Sequence, residues 1–278
     1  MVHSASPNRK RWMMFWLLVV ITIVINLPII LMVMNSFQTT EQLVNRTSIL
    51  PHDLTLANYR YLNERTNFWT FLWNSFTVSG VSTITSAAVA ALAGYALSRF
   101  RGRLITGYSR ALFVVQMFPI ILALIPLFML FRSLGLINSP WSVIILYTVV
   151  HLPFATWMAR AFFDTIPREL EDAALVDGCS RFGAFVRIVL PLSGPGLAAI
   201  GIFSFLFSYN EFFVANVFLR DQDAMTRPVG ITMFMQQYST DWGSLMAAAT
   251  VTVIPTFILF LGIQKWITYG AVSGGVKG

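Results

Sequence analysis

Six long apolar segments constrain this chain more than any other feature. They run approximately over residues 12–34, 68–97, 109–131, 141–163, 192–219 and 245–268. At about 1.5 Å rise per residue, each can cross a hydrocarbon core about 30 Å thick, the longer ones with tilt. The chain is 56% hydrophobic and 11% charged, with a mean hydropathy of +0.68. A soluble domain of this length needs far more polar surface. The predicted fold is therefore all-α, a polytopic bundle of six transmembrane helices. A re-entrant middle segment is the alternative. The run Arg9-Lys10-Arg11 resembles the start of a signal peptide, but Trp12–Met34 is about twice as long as a signal's apolar region. No small-residue cleavage site follows it, so it is expected to be retained as the first span.

The distribution of charge sets an orientation. The net charge is +7, yet the basic residues do not gather on a soluble face, so nucleic acid is a poor partner for them. With a cytoplasmic N-terminus, 13 of the 19 Lys and Arg fall on the inner side: Arg9, Lys10, Arg11, Arg99, Arg101, Arg103, Arg110, Arg160, Arg168, Arg181, Arg187, Lys265 and Lys277. Arg46, Arg60, Arg65, Arg132, Arg220 and Arg227 remain outside. This bias predicts a cytoplasmic segment 1–11, a transmembrane body 12–270 and a cytoplasmic tail 271–278. The external stretches Asn35–Asn67 and Arg220–Ser244 carry Tyr59, Tyr61, Gln236, Gln237, Tyr238 and Trp242. These suit either an interfacial aromatic belt or the docking of an external partner.

Between the fourth and fifth spans, residues 164–191 hold a cluster of acids and arginines in a loop too short and too polar to span. Ile166-Pro167 is a plausible helix start, since proline is tolerated in a first turn. Glu169, Glu171 and Asp172 suit the positive end of a helix dipole, and Arg168 can reach Glu171 or Asp172 at i+3 or i+4. Leu170, Ala173 and Ala174 form an apolar stripe. Gly178 is a natural left-handed stop and Ser180 a cap for a second short helix. Phe182, Phe185, Val186 and Val189 repeat on that helix at i, i+3, i+4 and i+7, and Pro191 separates it from the fifth span. Two short helices joined at a glycine corner can lie on the membrane, cap their own bundle, or plug into another protein.

The spacing Asp172-Ala173-Ala174, three residues, Gly178, nine residues, Ile188, one residue, Leu190-Pro191 resembles the EAA loop of permease subunits of ATP-binding-cassette importers. Asp172 stands where that family usually has Glu, which keeps the charge and shortens the reach by one methylene. The ending Gly274-Gly275-Val276-Lys277-Gly278 is similar to the C-terminus of the shorter maltose-type permease. Asn74-Ser75, Phe118-Pro119 and Tyr209-Asn210-Glu211-Phe212 also sit where the carbohydrate branch has similar motifs. The resemblance implies a coupling helix that seats in a cleft of a cytoplasmic ATPase, with Glu171, Asp172 and Asp177 meeting basic groups there. It also implies that Val276, Lys277 and Gly278 reach between ATPase subunits, unless the tail is simply a frayed terminus.

The implied partners are a second, related permease in a heterodimer, two ATPase copies, and a periplasmic or lipid-anchored solute-binding protein. All would sit at the inner membrane of a prokaryote. The chain has no GxxxxGK[ST] pattern, so ATP and Mg would be used by the partner ATPase. No cofactor is expected on this chain, which is expected to be non-catalytic. The implied cargo is a sugar, a di- or oligosaccharide; glycerol phosphate or a polyol is the alternative.

Pathway candidates are few. Glu211 is the one acid within a predicted span, and embedded ionisable residues are usually functional. Asn210 and Asn74 accompany it, with Gln116 and Met117 beside Pro119. The hydroxyl-rich second span (Ser75, Thr77, Ser79, Ser82, Thr83, Thr85, Ser86) serves a pathway or helix packing. Pro28, Pro119, Pro126, Pro153 and Pro255 fall within spans, where they kink helices and free carbonyls. His3, His52 and His151 are far apart, and the single cysteine, Cys179, permits no internal disulfide, so no metal site is expected. An ion-coupled secondary transporter would need more embedded acids and usually inverted repeats. An intramembrane enzyme would need a nucleophile and a base.

Overall fold

The computed structural model describes residues 7–45, 53–235 and 239–275. In chain order its helices are α1 (Pro7–Asn35), α2 (Thr40–Val44), α3 (Ala57–Arg65), α4 (Phe68–Arg99), α5 (Arg103–Met117), α6 (Ile120–Ser133), α7 (Pro140–Asp164), α8 (Glu169–Val176) and α9 (Arg181–Ala184). A π-helical turn (Phe185–Val189) follows, then α10 (Leu190–Leu192), α11 (Gly194–Asn210), α12 (Phe213–Phe218), α13 (Arg227–Ile231) and α14 (Trp242–Gly275). Among the described residues there is one isolated antiparallel bridge, Met235 with Thr240, and no sheet.

Four helices are long and apolar enough to cross a membrane: Arg11–Asn35, Phe68–Arg99, Pro140–Asp164 and Trp242–Gly262. Two bent pairs bring the number to six if each is one span. Arg103–Met117 meets Ile120–Ser133 at 99°, and Arg181–Leu192 meets Gly194–Asn210 at 74°. The third predicted span is thus corrected from a continuous helix to one broken at Phe118-Pro119, and the fifth to one interrupted at Glu211-Phe212, between α11 and α12. Proline explains the first break. Pro119 cannot donate a backbone bond, and a residue before proline is driven out of the helical region; Phe118 accordingly sits at φ −86°, ψ 120°. The other expected separator, Pro191, lies inside the α9–α10 run. The residue before it closes a wider π turn, with Leu190 N–H bonded to Phe185 O. The chain turns instead at Ser193-Gly194.

The chain forms two compact units, one from the N-terminal part to Thr66 with Met233–Val253, the other from Asn67–Thr232 with the residues after Val253. In the first, the stretch expected as an external loop contains α2 and α3. Thr39 and Gln42 make a reciprocal capping box on α2. Asn58, buried on α3, donates to the carbonyls of Ser36 and Gln38, both at 2.8 Å. Asp241 accepts from Thr40 at 2.6 Å and from the Ser244 N–H at 3.1 Å, which ties the start of α14 to α2. Tyr59 bonds Ser36 at 2.6 Å, while Tyr61 is exposed. Gln236, Gln237 and Tyr238 lie outside the described residues.

The second unit is built on α4 packed along α7, with α11 against both. Ser75, Ser79, Ser82 and Ser86 are buried along α4, on a ridge that continues to Ala90 and Gly94. A Cβ on Gly94 would stand 2.7 Å from Ala159 Cβ and 2.9 Å from Arg160 N, so the backbones approach closely only because glycine is there. Hydroxyl pairs join α4 to both neighbours, Ser82 with Ser208 of α11 at 3.2 Å and Thr85 with Thr148 of α7 at 2.8 Å. Of the two readings of the hydroxyl-rich face, the structure displays packing. One apolar core gathers Val78, Tyr147, Val214 and Phe218; the other gathers Ala90, Ala159, Phe163, Phe185 and Ile200. On α5 and α6 one side packs inward through Leu112 and Phe131, while Val114, Met117, Leu122 and Ile125 are exposed, as lipid or a partner subunit allows.

Candidate functional site

The loop between α7 and α11 forms the predicted pair of short helices. Its corner is a complete Schellman motif. Gly178 takes φ +86° and bonds Leu175 O at 3.1 Å, and Cys179 N–H bonds Ala174 O at 2.9 Å. Ser180 caps α9 by accepting from Gly183 N at 3.1 Å. Arg187 lies 3.8 Å from the Cys179 sulfur.

On α8 the helical period divides the side chains between two faces. Glu171 and Ala174 turn inward and are buried. Leu170, Asp172, Ala173, Val176 and Asp177 face outward, with Val176 88% exposed. The expected apolar stripe is therefore split, since Ala174 leaves it and Val176 joins Leu170 and Ala173 on the exposed side. The second stripe divides likewise, with Phe185 and Val189 in the core and Phe182 and Val186 exposed. Ile188 and Leu190 are half-buried and Pro191 is exposed.

The inward turn of Glu171 corrects its assignment to an outward acidic cluster. Its carboxylate accepts from Tyr95 Oη at 2.6 Å and from Arg99 Nε at 2.5 Å. Arg99 also donates to Ser98 Oγ at 2.8 Å and to Ile166 O at 3.0 Å. Ser98 donates to Asp164 at 2.5 Å. Arg168 was expected to pair with Glu171 or Asp172; instead it donates to Ser98 O at 3.0 Å, where a cation meets the negative end of the α4 dipole. Asp172 and Arg181 join these residues around an open cavity of about 200 Å³ between α4, α8 and α9. Arg181 lies over the Phe100 ring at 5.8 Å.

The pathway candidates fall in two places, Asn74 and Asn210-Glu211 beside the segment 223–227, and Gln116 and Met117 at the end of α5. Asn74 is half-buried and donates to the carbonyls of Asp223 at 2.8 Å and Met225 at 3.0 Å, holding that segment to α4. Gln116 and Met117 are exposed at the end of α5. Asn210 and Glu211 form the break between α11 and α12. Glu211, expected inside a continuous helix, takes an extended backbone and caps α12, accepting from the N–H groups of Val214 and Ala215 and, at 2.7 Å, from Tyr147 Oη. Asn210 is exposed, with its oxygen 3.0 Å from Arg227.

Arg227 did not stand out in the sequence. It is buried, donates to Tyr209 O at 2.7 Å and stacks its guanidinium 4.4 Å from the Tyr209 ring centre. Burial pulls its pKa down and the nearby Tyr209 opposes that shift; an arginine starts high enough to stay protonated at neutral pH. A cation thus closes the C-terminal end of α11 and an anion opens α12, each at the dipole end that favours it. His151 is buried beside Phe207, with both ring nitrogens lacking a hydrogen-bond partner among the described residues. Val276, Lys277 and Gly278 lie outside the described residues, as do His3 and His52.

A multi-pass helical membrane protein that carries a short two-helix projection between its spans is the class defined by this arrangement. Residues 86–270 match the model of the family described as "Binding-protein-dependent transport system inner membrane component", and the chain belongs to that family. It is 36% identical to the sulfoquinovosyl glycerol transport system permease protein SmoH of Agrobacterium fabrum, over 90% of this chain and 88% of that one. It is 34% identical to the trehalose/maltose transport system permease protein MalG of Thermococcus litoralis, over 97% and 98% respectively. Its fold is shared with a crystal structure of a bacterial ABC transporter involved in the import of the acidic polysaccharide alginate, at TM-score 0.80 and 22% identity, over 95% of this chain and 99% of that chain.

Proposed function

We propose that this chain is a translocation-pathway subunit of an ATP-driven sugar importer, carrying a di- or oligosaccharide delivered by an external solute-binding protein. The observation that carries the reading is the divided α8. Its inner face is bound to the spans through Glu171, while its outer face presents Leu170, Asp172, Ala173, Val176 and Asp177. An apolar strip flanked by acids, on a helix too short to span, suits a cleft with basic edges on a cytoplasmic ATPase. The motif Asp172-Ala173-Ala174 through Leu190-Pro191 and the permease names of the relatives support it. A second permease, two ATPase copies and a cytoplasmic position for both termini complete the proposal. In it the chain performs no catalysis, and ATP and Mg are used by the ATPase.

The test is the set of proteins that co-purify with the tagged chain from its native membrane in mild detergent, identified by mass spectrometry. A stoichiometric Walker-A ATPase and a second permease are expected, and the accompanying binding protein can then be screened against sugars, polyols and glycerol phosphate. A folded chain that emerges alone would remove the importer reading. Asp172→Arg is expected to lower ATPase recovery at least tenfold, and full recovery would refute docking through the outer face of α8.

A further inference from the structure

We propose that Glu171 is a positioning residue that couples the two sides of the transporter, holding the projecting helix α8 in a fixed attitude on the end of span α4 through Tyr95 and Arg99. The proposal rests on the reading that α8 docks an ATPase. It differs in assigning the coupling role to an inward residue that touches no partner.

The geometry is directional. Both Glu171 oxygens are engaged, at 2.6 Å by Tyr95 and at 2.5 Å by Arg99. Arg99 at the same time holds Ile166 O in the α7–α8 connection, and Arg168 next to α8 returns to Ser98 O. The last two turns of α4 are thereby bound to both sides of the α8 N-terminus. Tyr95 serves three elements, since its ring centre lies 6.1 Å from that of Phe163 on α7 and 4.6 Å from that of Phe185 in the π turn, while its hydroxyl reaches α8.

Anchoring strength alone does not require this chemistry. A buried ion pair loses in desolvation much of what it gains in attraction, and well-packed apolar residues are often as stable. What paired, charge-assisted hydrogen bonds add is a fixed direction. A helix with one docked face and one apolar face can roll; Glu171 sets the angle at which α8 meets α4. From α4 a displacement passes to α11 through the Ser82–Ser208 contact and to α7 through Thr85–Thr148.

The measurement is ATP hydrolysis by the whole co-purified complex in lipid vesicles, with and without its solute-binding protein; the ratio reports coupling across the membrane and needs no knowledge of the solute. Glu171→Gln is expected to lower that ratio about tenfold and Tyr95→Phe about threefold, within the range of residues that modulate coupling without touching a ligand. Subunit stoichiometry should stay unchanged. Tyr95→Phe removes one hydroxyl and keeps the ring contacts, so it remains informative if Glu171→Gln assembles poorly. In a Glu171→Ala background, Tyr95→Phe should have no further effect. An unchanged ratio in an assembled Tyr95→Phe complex overturns the proposal, and so does a ratio that falls only as subunits dissociate. A wild-type complex without any ATPase would instead count against the importer reading.

Discussion

Glu171 and Glu211 are both acids beside membrane helices, and the chain uses each to hold an interruption in place. Glu211 supplies the acceptor that the first N–H groups of α12 lack. Glu211→Ala leaves those donors and the Tyr147 hydroxyl without it and is expected to cost about 1–3 kcal/mol, read as a lower thermal midpoint of the purified complex in detergent. Glu211→Gln keeps an acceptor and should lose less; equal midpoints for all three would show that the cap contributes nothing. Arg227 is the counterpart on the other side of the break. Lysine has no planar guanidinium to stack on Tyr209 while donating to its carbonyl, so Arg227→Lys should also destabilise. That arginine was not legible as special, because nothing in a sequence reveals that an arginine between two predicted spans will fold back over the end of a helix.

At the scale of the element, two glycines set limits that larger residues cannot meet. Gly178 holds the α8–α9 corner at φ +86°. Alanine there carries a left-handed penalty of roughly 1–2 kcal/mol, whereas asparagine is tolerated better in this position. Gly178→Ala should therefore weaken ATPase recovery and Gly178→Asn should do so less; the two are compared by quantitative co-purification. Gly94→Val would overpack the α4–α7 crossing, at about 1–3 kcal/mol. The expected result is a smaller monodisperse fraction in size-exclusion chromatography, and a wild-type profile would show that α4 can move away from α7. The glycine corner and the Ser180 cap were legible because caps and turns are decided by a few adjacent residues. The break at Glu211 was not, because it is closed by contacts to Tyr147 on another helix and to Arg227 from a later segment.

For the whole molecule, the orientation proposed from its arginines and lysines is open to a direct check. Cys179 is the single cysteine of the chain, and it lies half-exposed in the projecting loop. A membrane-impermeant maleimide should label it in inside-out vesicles and leave it unlabelled in intact cells. The reverse pattern would place the loop outside and end the coupling proposal. Family membership is consistent with the apolar helices, and the long segments at residues 12–34, 68–97, 141–163 and 245–268 fall on the helices α1, α4, α7 and α14.

The sequence by itself determined that this chain is a helical membrane protein with a short two-helix loop between its spans. Apolar length, charge placement and local capping are properties of neighbouring residues and need no knowledge of the fold. Only the tertiary structure decided that the fifth predicted span breaks at Glu211, and that Asp172 faces outward while Glu171 faces in. Adjacent residues on a helix point about 100° apart, so their sequence order cannot tell which one meets a partner. That choice was made by Tyr95 and Arg99, on a helix far away in sequence, whose hydroxyl and guanidinium lie where the carboxylate of Glu171 can accept from both.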